Sequence, residues 1–236
     1  DSDEYINLLF ASKYNNDNTL LYFEDGKPVA SLQMLAYTIL FYGRELPFYY
    51  LAGLCTLPAY RGRGYMSQLV AKAHQVMDER GIPLSILVPA EDSLFAYYKR
   101  FGYEQVFDAG QEPLPPLSAF VQEYPDPHIA FAHFNQRYAD GNPSVQKTFD
   151  EFRVIIDEYN LDGYPLKYNL AAMARIADAA LLVGIHASMY GNDLSCYPMD
   201  DTHYLCRLLF GYHTDEVAAV CSHFPLQHPV INLMLE

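Results

Sequence analysis

Basic residues are scarce in this sequence. Its 236 residues include 15 Lys and Arg against 29 Asp and Glu, which gives a formal net charge of −14. Because proteins that bind nucleic acid usually present a basic face to the phosphates, this balance argues against a nucleic-acid partner. The negative charge is compatible with a cationic substrate, since an acidic cleft concentrates amines, and equally with a simple role in solubility.

Long apolar runs are also missing. No stretch approaches the ~20 consecutive apolar residues that span a bilayer, and no secretory signal peptide is visible. We therefore expect no membrane association. The first residue is Asp1 rather than Met, so the sequence leaves open whether residues precede it.

Cysteine is infrequent, and the four examples are Cys55, Cys196, Cys206 and Cys221. No two of them have C-x-x-C spacing, which argues against a disulfide framework and against a zinc site. Reduced thiols are the usual state in the cytoplasm. The sequence therefore predicts a cytoplasmic protein without a bound metal.

Apolar residues make up 51% of the chain, with 21 Tyr and 14 Phe, so a sizeable core can form. Periodicity and turn residues predict the order α-β-β-β-α-β-α-β over residues 3–110. The expected elements are a helix at 3–14, two strands in 18–40 that meet at Asp25-Gly26, a strand at 45–57, a helix from Tyr65 to Gly81, a buried strand at 82–90, a helix at 91–101 and a strand at 103–110.

The second half of the chain has a different pattern. Residues 111–127 contain five prolines, which predicts a linker or a domain boundary. Helical spacing of apolar residues follows at 144–159 and at 169–183. A further helix is expected at 202–212.

Two arginines alternate with two glycines in Arg61-Gly62-Arg63-Gly64, between a predicted strand and a predicted helix. The first turn of a helix has backbone N–H groups without partners and a positive dipole end. Glycines let a phosphate reach these groups because they have no Cβ atom, and arginines add positive charge. The segment predicts a pyrophosphate cradle for a small anionic cofactor. The alternative is a glycine-rich turn with two solvated arginines.

Other phosphate-binding loops fit this segment poorly. A P-loop requires Lys-Ser/Thr after its last glycine, where this chain has Tyr65-Met66. A Rossmann fingerprint requires a third glycine, where Met66 stands, and an acid at the end of the next strand, where the chain has Val88-Pro89-Ala90.

On these residues the sequence resembles the Gcn5-related N-acetyltransferase (GNAT) superfamily. The stretch TLPAYRGRGYMSQLV is similar to the family's acyl-CoA motif, Arg/Gln-x-x-Gly-x-Gly/Ala, at Arg61 and Gly64, and departs from it at Met66. The stretch LFAYYKRFGYEQV is similar to the family's fYekxGF segment. The resemblance implies an α+β fold with a mixed α/β sheet, here without the family's first strand.

The resemblance also implies roles for individual residues. The pantetheine arm of acetyl-CoA would lie in a gap between two strands, against the backbone of Leu54, Cys55 and Thr56. The pyrophosphate would lie over a loop and helix start made of Arg61, Gly62, Arg63, Gly64, Tyr65 and Met66, with Ser67 nearby. Tyr98, four residues before Gly102, would protonate the leaving thiolate.

The chemistry of acetyl transfer agrees with this assignment. Attack of an amine on a thioester needs an acid for the thiolate and a hydrogen-bond donor for the carbonyl, and it needs no covalent enzyme intermediate. We therefore interpret Cys55 as a small core residue and not as a nucleophile. Of the adjacent tyrosines we expect Tyr97 to lie in the core. For Tyr98 the alternative is an ordinary packed aromatic residue.

A second resemblance concerns the C-terminal half. The stretches MARIADAALLV and CRLLFGY are similar to segments of the sterol-carrier-like domain in the enhanced-intracellular-survival (Eis-like) branch of the superfamily. The implied division is a GNAT domain at 1–112, a linker or degenerate second lobe at 113–164, and a smaller α+β sterol-carrier-like domain at 165–236.

Several carboxylates are candidates for removing the proton of the amine. In the Eis-like branch the C-terminal carboxylate can reach the active site, which makes Glu236 a candidate, with a frayed terminus as the alternative. Glu91 and Asp92 follow a predicted strand and are further candidates. For Asp92 the alternative is capping of the next helix.

These features together predict an acetyl-CoA-dependent N-acetyltransferase that acts by direct attack of a primary amine, from a small molecule or a lysine-type side chain. One alternative is a non-catalytic acyl-CoA-binding or regulatory module, which would need the cradle but neither acid nor base. Another is a carrier of apolar ligands through the C-terminal domain. The identity of the amine and association into a homo-oligomer are left open.

Overall fold

The computed structural model describes residues 3–110, 117–138, 143–163, 168, 170–216, 223–229 and 231. Its helices are α1 (Asp3–Ser12), α2 (Tyr65–Glu79), α3 (Ser93–Lys99), α4 (Leu117–Glu123), α5 (Pro127–Tyr138), α6 (Phe149–Asp162), α7 (Ala179–Tyr190) and α8 (Thr202–Leu209). Its strands are β1 (Thr19–Glu24), β2 (Lys27–Phe41), β3 (Arg44–Thr56), β4 (Leu84–Leu87), β5 (Glu104–Phe107), β6 (Ser144–Gln146) and β7 (Ala172–Ile176).

These strands form one mixed sheet with the order β1-β2-β3-β4-β7-β5, and β6 pairs with one end of β2. The pairing of β3 with β4 is parallel, and the other pairings are antiparallel. The mixed α+β class and the predicted order of elements over residues 3–110 are confirmed. Within the described residues, no helix combines the length and apolar character needed to cross a membrane.

The long hairpin of β2 and β3 contains one irregularity. Ser31 pairs with Cys55 and Gln33 pairs with Ala52, so β3 has two residues opposite the single residue Leu32. One of these two is Gly53, whose φ of 59° lies in the left-handed region that glycine tolerates best. This β-bulge bends the end of β3 that leads to the predicted cradle.

The parallel pairing of β3 with β4 is short. It joins Phe48, Tyr49 and Tyr50 of β3 to the first three residues of β4. Beyond Tyr50, β3 continues to Thr56 without a partner on its β4 side among the described strands. The two strands therefore diverge and leave a gap in the sheet.

Helices cover both faces of the sheet. On one face α2 and α3 pack on β2, β3 and Met173 of β7. The buried side chains of α2 recur at helical spacing, as the sequence predicts. They are Leu69, Val70, Ala73, Val76 and Met77. On the other face α7 and α8 enclose the largest core with side chains from β2, β3, β4 and β7.

A smaller helical cluster lies beside the sheet, where α4, α5 and α6 share a separate apolar core. Helix α6 begins with a capping box in which Thr148 and Glu151 bond to each other's backbone N–H groups. Lys13, just after α1, forms an ion pair with Glu151, which joins the start of the chain to this cluster.

Several predictions of local structure are wrong. The expected helix at 169–183 is strand β7 followed by α7, and the expected helix at 144–159 begins with strand β6. The predicted linker at 111–127 includes α4, while 111–116 lie outside the described residues. A short apolar run such as 171–176 suits a helix or a buried strand equally, and the pairing with β4 and β5 decides for the strand.

The division of the chain at 112 and 164 stays a prediction. In the structure, the segment assigned to the third domain contributes β7 to the sheet, between β4 and β5. Its helices α7 and α8 share the largest core with the strands of the first segment.

The largest core encloses a histidine, His186, whose side chain is fully buried. Its Nδ1 lies 2.8 Å from the Tyr197 hydroxyl, and its Nε2 has no hydrogen-bond partner among the described residues. Burial lowers the pKa of His186 from 6.5 to about 4. The folded protein therefore disfavours the protonated imidazole.

We predict that His186 makes the fold sensitive to acid. A histidine with a depressed pKa stabilises the fold above its unfolded pKa, and this contribution is lost as the pH falls from about 6.5 toward about 4. The difference corresponds to about 3 kcal/mol in the free energy of unfolding. Urea unfolding should be measured at several pH values in this range. The free energy of unfolding should fall more steeply with decreasing pH for the unaltered protein than for His186→Gln. Parallel curves would contradict the prediction.

Candidate active site

The loop between β3 and α2 has the geometry of an anion cradle. A short 3₁₀ helix at Pro58–Tyr60 turns the chain, and α2 begins at Tyr65. Gly62 and Gly64 have φ values of 77° and 79°, which a side chain would strain. An ideal Cβ on either glycine would meet no described atom within 4 Å, so the space beside them is open.

Helix α2 starts without a side-chain cap. Its N-cap residue is Gly64, which has no side chain to accept a hydrogen bond, and no acidic residue lies in the first turn. The backbone N–H groups of this turn have no partner within the helix, and the helix dipole gives them a partial positive charge. This end of α2 is therefore suited to an anion.

A cavity of about 300 Å³ opens over this loop, and we call it the cradle cavity. It is lined by Thr56, Tyr60, Arg61, Gly62, Arg63, Gly64, Tyr65, Met66, Ser67, Tyr97 and Arg100. The structure thus brings together Thr56 and every residue predicted from 61 to 67. It also adds Arg100, which the sequence analysis did not identify.

The arginines of the cradle cavity differ in their partners. Arg61 donates from Nε to the Thr56 carbonyl at 3.1 Å. Arg63 donates to both carboxylate oxygens of Glu24, each at 3.1 Å, and to the Ala59 carbonyl at 3.2 Å. The Arg100 guanidinium lies over the Tyr97 ring, with Cζ 4.7 Å from the ring centroid.

A second cavity, of about 480 Å³, occupies the gap where β3 and β4 diverge, and we call it the cleft. Its lining is mostly apolar and comprises Tyr50, Leu51, Ala52, Gly53, Leu54, Val88, Pro89, Ala90, Leu94, Tyr98 and Leu170. Pro89 has no N–H group, so the chain after β4 cannot extend the ladder there. Of the residues predicted for the arm of the cofactor, Leu54 lines the cleft and Thr56 lines the cradle cavity.

Helix α3 borders both cavities. Leu94 and Tyr98, four residues apart, line the cleft, whereas Tyr97 and Arg100, three residues apart, line the cradle cavity. Side chains at these spacings share a face of a helix. One short helix therefore presents different faces to the two cavities.

The two tyrosines of α3 have exchanged the environments that we expected. Tyr98 is 7% exposed and belongs to the core, whereas Tyr97 is half-buried. The prediction of Tyr97 as the core residue is therefore wrong. The helical geometry of α3 explains the difference in burial. Tyr98 lies on the side of the helix that faces the sheet, together with Leu94. Tyr97 points toward α2, where its hydroxyl lies 3.2 Å from Ser67 Oγ.

The surroundings of Tyr98 affect its acidity. Burial, together with the neighbouring Tyr97, raises the pKa of Tyr98 from 10.0 to about 12. At neutral pH its hydroxyl therefore carries a proton that it can donate.

Cys55 is exposed, and its Sγ lies 3.1 Å from the Ser31 hydroxyl on β2. The interpretation of Cys55 as a core residue is therefore wrong. Its position in β3, between Leu54 and Thr56, turns its side chain away from those of its neighbours, because successive side chains of a strand alternate.

The candidate bases are less well placed. Glu91 is exposed and directly follows Ala90 of the cleft, without lining the cleft itself. Asp92 occupies the N-cap position of α3, as the alternative to a base role requires, but its side chain makes no capping hydrogen bond. Glu236 lies outside the described residues.

Several contributors to the site escaped the sequence analysis, among them Arg100, Glu24 and Leu170. Arg100 follows Lys99 at the end of α3, and its i, i+3 spacing from Tyr97 was a usable signal. Glu24 ends the distant strand β1 and reaches Arg63 only through the fold. Leu170 precedes β7, which was predicted to be helix.

Comparison with known proteins extends this description. Residues 1–106 match the family model described as an acetyltransferase (GNAT) domain. No curated protein sequence matches the chain. Among solved structures, Eis1 from Mycobacterium abscessus superposes with a TM-score of 0.50 and 16% identity, over 71% of this chain and 48% of that protein.

Two other structures are similar to this chain. A GCN5-related N-acetyltransferase from Anabaena variabilis has a TM-score of 0.49 and 21% identity, over 66% of this chain and 40% of that protein. A GNAT family acetyltransferase from Brucella melitensis, solved in complex with acetyl-CoA, has a TM-score of 0.35 and 26% identity, over 43% of this chain and 61% of that protein.

The chain spans less than half the length of the Mycobacterium abscessus and Anabaena variabilis proteins. The likeness to Eis1 concerns the fold, and the match to the family model concerns residues 1–106. The matched residues 1–106 are less than half of the chain, and they include the strands β1 to β4 and the glycine loop.

Proposed function

We propose that this protein is an acetyl-CoA-dependent N-acetyltransferase that acts on a primary amine of a small molecule or of a lysine-type side chain. The observation that carries the proposal is the arrangement of two cavities on either side of α3. One is lined by three arginines and the start of α2, and the other by mostly apolar side chains and the buried Tyr98. An elongated ligand with phosphates at one end and a reactive thioester at the other suits this pair.

The cradle cavity would hold the pyrophosphate of coenzyme A. The first-turn N–H groups of α2 and the open space beside Gly62 and Gly64 fit a phosphate group. Arg61 supplies positive charge next to these groups. Met66, in place of the family's third small residue, lies inside the helix, so the approach to its backbone is less open.

The cleft would hold the pantetheine arm. On its β4 side, β3 has no described strand partner from Leu51 to Thr56, so its backbone groups can bond to an extended ligand. The bound cofactor supplies an activated acetyl thioester. A backbone N–H of β3 would bond to the thioester carbonyl oxygen and stabilise the charge that develops there.

Tyr98 would act as the general acid. In direct attack the amine nitrogen forms a bond to the carbonyl carbon, the carbon–sulfur bond breaks, and the sulfur takes the Tyr98 proton. The phenol is protonated at neutral pH, and its raised pKa means that the phenolate must be stabilised when the proton leaves. Positive charge on the attacking nitrogen would stabilise the phenolate, because an opposite charge nearby favours the ionised form. That nitrogen would then return a proton to the phenolate, directly or through water, which leaves a neutral amide and restores Tyr98.

A base must remove a proton from the amine, because a lysine-type amine with a pKa of about 10.4 is mostly protonated at neutral pH. We propose Glu91 or the carboxylate of Glu236 for this role, directly or through water. Glu91 has in its favour that it follows Ala90, which lines the cleft.

The resemblance of residues 165–236 to a sterol-carrier-like domain remains a proposal. In our view this part of the chain acts chiefly as a scaffold, because β7 occupies the sheet between β4 and β5 and would hold the cleft open. Leu170, just before β7, lines the cleft and would touch the ligand.

The first test concerns the cradle. Gly64→Ala should weaken coenzyme A binding by about tenfold or more, because the added methyl group projects into the open space at the phosphate-binding loop. Gly43→Ala is a matched control, since Gly43 has a φ of 77°, no described atom within 4 Å of its ideal Cβ, and a position in the β2–β3 turn. Both changes should cost about 1–2 kcal/mol of stability. Calorimetry that gives equal coenzyme A affinities would refute the cradle assignment.

The second test concerns the acid. Tyr98→Phe removes the proton donor and should reduce kcat by about 10²–10⁴ while leaving coenzyme A affinity nearly unchanged. Thiol release should be followed with an aminoglycoside, a polyamine and a lysine peptide as acceptors. Normal turnover of Tyr98→Phe would exclude the acid role. Coenzyme A binding without turnover of any amine would instead favour the non-catalytic binding module.

The third test concerns the base. If Glu91 is the base, Glu91→Gln should reduce kcat/KM by about 10² or more. The decline of kcat/KM at acidic pH should also disappear from the pH profile of this variant. Glu79→Gln, at the far end of α2, is the control and should behave like the unaltered protein. If Glu236 is the base, adding a few residues after it should reduce kcat while coenzyme A still binds. Full activity of both altered proteins would leave water as the acceptor and contradict both assignments.

A further inference from the structure

We infer that Arg100, and not Arg63 of the glycine-arginine motif, is the second cation that contacts the cofactor's pyrophosphate in the cradle cavity. The inference rests on the proposed function, because it assigns a residue to the binding of coenzyme A. It names a contact from α3, which lines the cradle cavity together with the motif.

Arg63 is already engaged by protein groups. Its Nη1 donates to both carboxylate oxygens of Glu24, and its Nη2 donates to the Ala59 carbonyl. The carboxylate offsets part of the charge of the guanidinium, and the two protein contacts engage both of its terminal nitrogen atoms. A phosphate that bonded to Arg63 would also meet the like charge of Glu24.

The guanidinium of Arg100 has few contacts that would compete with a phosphate. Within the described part of the chain it takes part in no ion pair. Among the described residues, its guanidinium makes one long hydrogen bond of 3.4 Å, from Nε to the Tyr97 carbonyl. The terminal nitrogen atoms of its guanidinium remain available for a two-pronged contact with phosphate oxygens.

The position of Arg100 is fixed by contacts to the cradle. Its guanidinium stacks on the Tyr97 ring, which limits the conformations of a long side chain. The hydroxyl of Tyr97 lies 3.2 Å from Ser67 Oγ, in the first turn of α2. This chain of contacts places the charge of α3 over the same cavity as the N–H groups of α2, before any ligand arrives. Little ordering entropy then remains to be lost on binding.

The neighbouring cation provides a matched control. Lys99 precedes Arg100 on α3, and its Nζ lies 2.9 Å from Glu104 Oε2 on β5. It lines neither the cradle cavity nor the cleft. Lys99→Gln and Arg100→Gln remove the same charge from adjacent positions, so they separate a direct contact from a general change of electrostatic potential.

The experiment measures calorimetric affinities of coenzyme A and of 3′-dephospho-coenzyme A for the unaltered protein and three variants. Arg100→Gln should weaken both ligands by about tenfold or more, because each loses a charge-assisted contact to the pyrophosphate. Lys99→Gln should bind both ligands like the unaltered protein. Arg63→Gln should weaken them less than Arg100→Gln does. Circular dichroism should show that all variants are folded.

The outcomes separate this inference from the proposed function. If the unaltered protein binds neither ligand, both the proposed function and the inference fail. If it binds them and Arg100→Gln binds equally well, only the inference fails. A loss with Arg100→Gln that is confined to coenzyme A would move the contact to the 3′-phosphate and overturn the pyrophosphate assignment. If Lys99→Gln reduced the affinity for both ligands as much as Arg100→Gln does, the direct contact of Arg100 would be overturned.

Discussion

The divergence of β3 from β4 is the constraint on which the rest of the site depends. The two strands pair over three residues only, after which β3 bends at its bulge and β4 ends before Pro89. In a continuous sheet the backbone groups of residues 51–56 would bond to a neighbouring strand. Their lack of a described strand partner on this side creates the cleft. The same departure of β3 carries the chain out to the glycine loop and sets the start of α2.

A buried polar network holds the last paired residues below this divergence. Ser85 of β4 donates to the carbonyl of its β3 partner Tyr49, at 3.3 Å, and lies 2.7 Å from the hydroxyl of Tyr103. Ser85 has one hydroxyl proton, and this proton is donated to the Tyr49 carbonyl. The Tyr103 hydroxyl must therefore be the donor in its hydrogen bond with Ser85. Nε2 of His74, 3.2 Å from Tyr103, must then donate to it. Burial, with the nearby charge of Arg175, lowers the pKa of His74 to about 4, so the imidazole is neutral.

This network connects the elements that form the walls of the two cavities. His74 lies on α2, and Tyr103 follows α3 just before β5. Each donor in the sequence His74, Tyr103, Ser85 has one acceptor, so the burial of these polar groups is compensated. The hydrogen bonds fix α2 and α3 relative to the point where the strands separate. The contact between Tyr97 and Ser67 joins the same two helices at the opening of the cradle cavity.

The sequence predicts this fold well where local signals and tertiary contacts agree. The strand, glycine loop and helix around Arg61–Gly64 lie as expected, because turn chemistry and helical periodicity both depend on nearby residues. Strand β7 was missed because its apolar run is compatible with two structures, and only pairing with β4 and β5, far away in sequence, selects one. The ion pair of Glu24 with Arg63 spans 39 positions and leaves no local pattern.

In the proposed mechanism, Tyr98 and Arg100 would join chemistry to binding. Both belong to one short helical turn and its cap, and they project into different cavities because they stand two positions apart. A displacement of α3 toward bound phosphates would therefore also move the phenol in the cleft. The buried phenol cannot move independently, since it packs among Tyr97, Tyr103 and the core of α2. In the proposed mechanism, α3 would thus couple occupation of the cradle cavity to the position of the proposed proton donor.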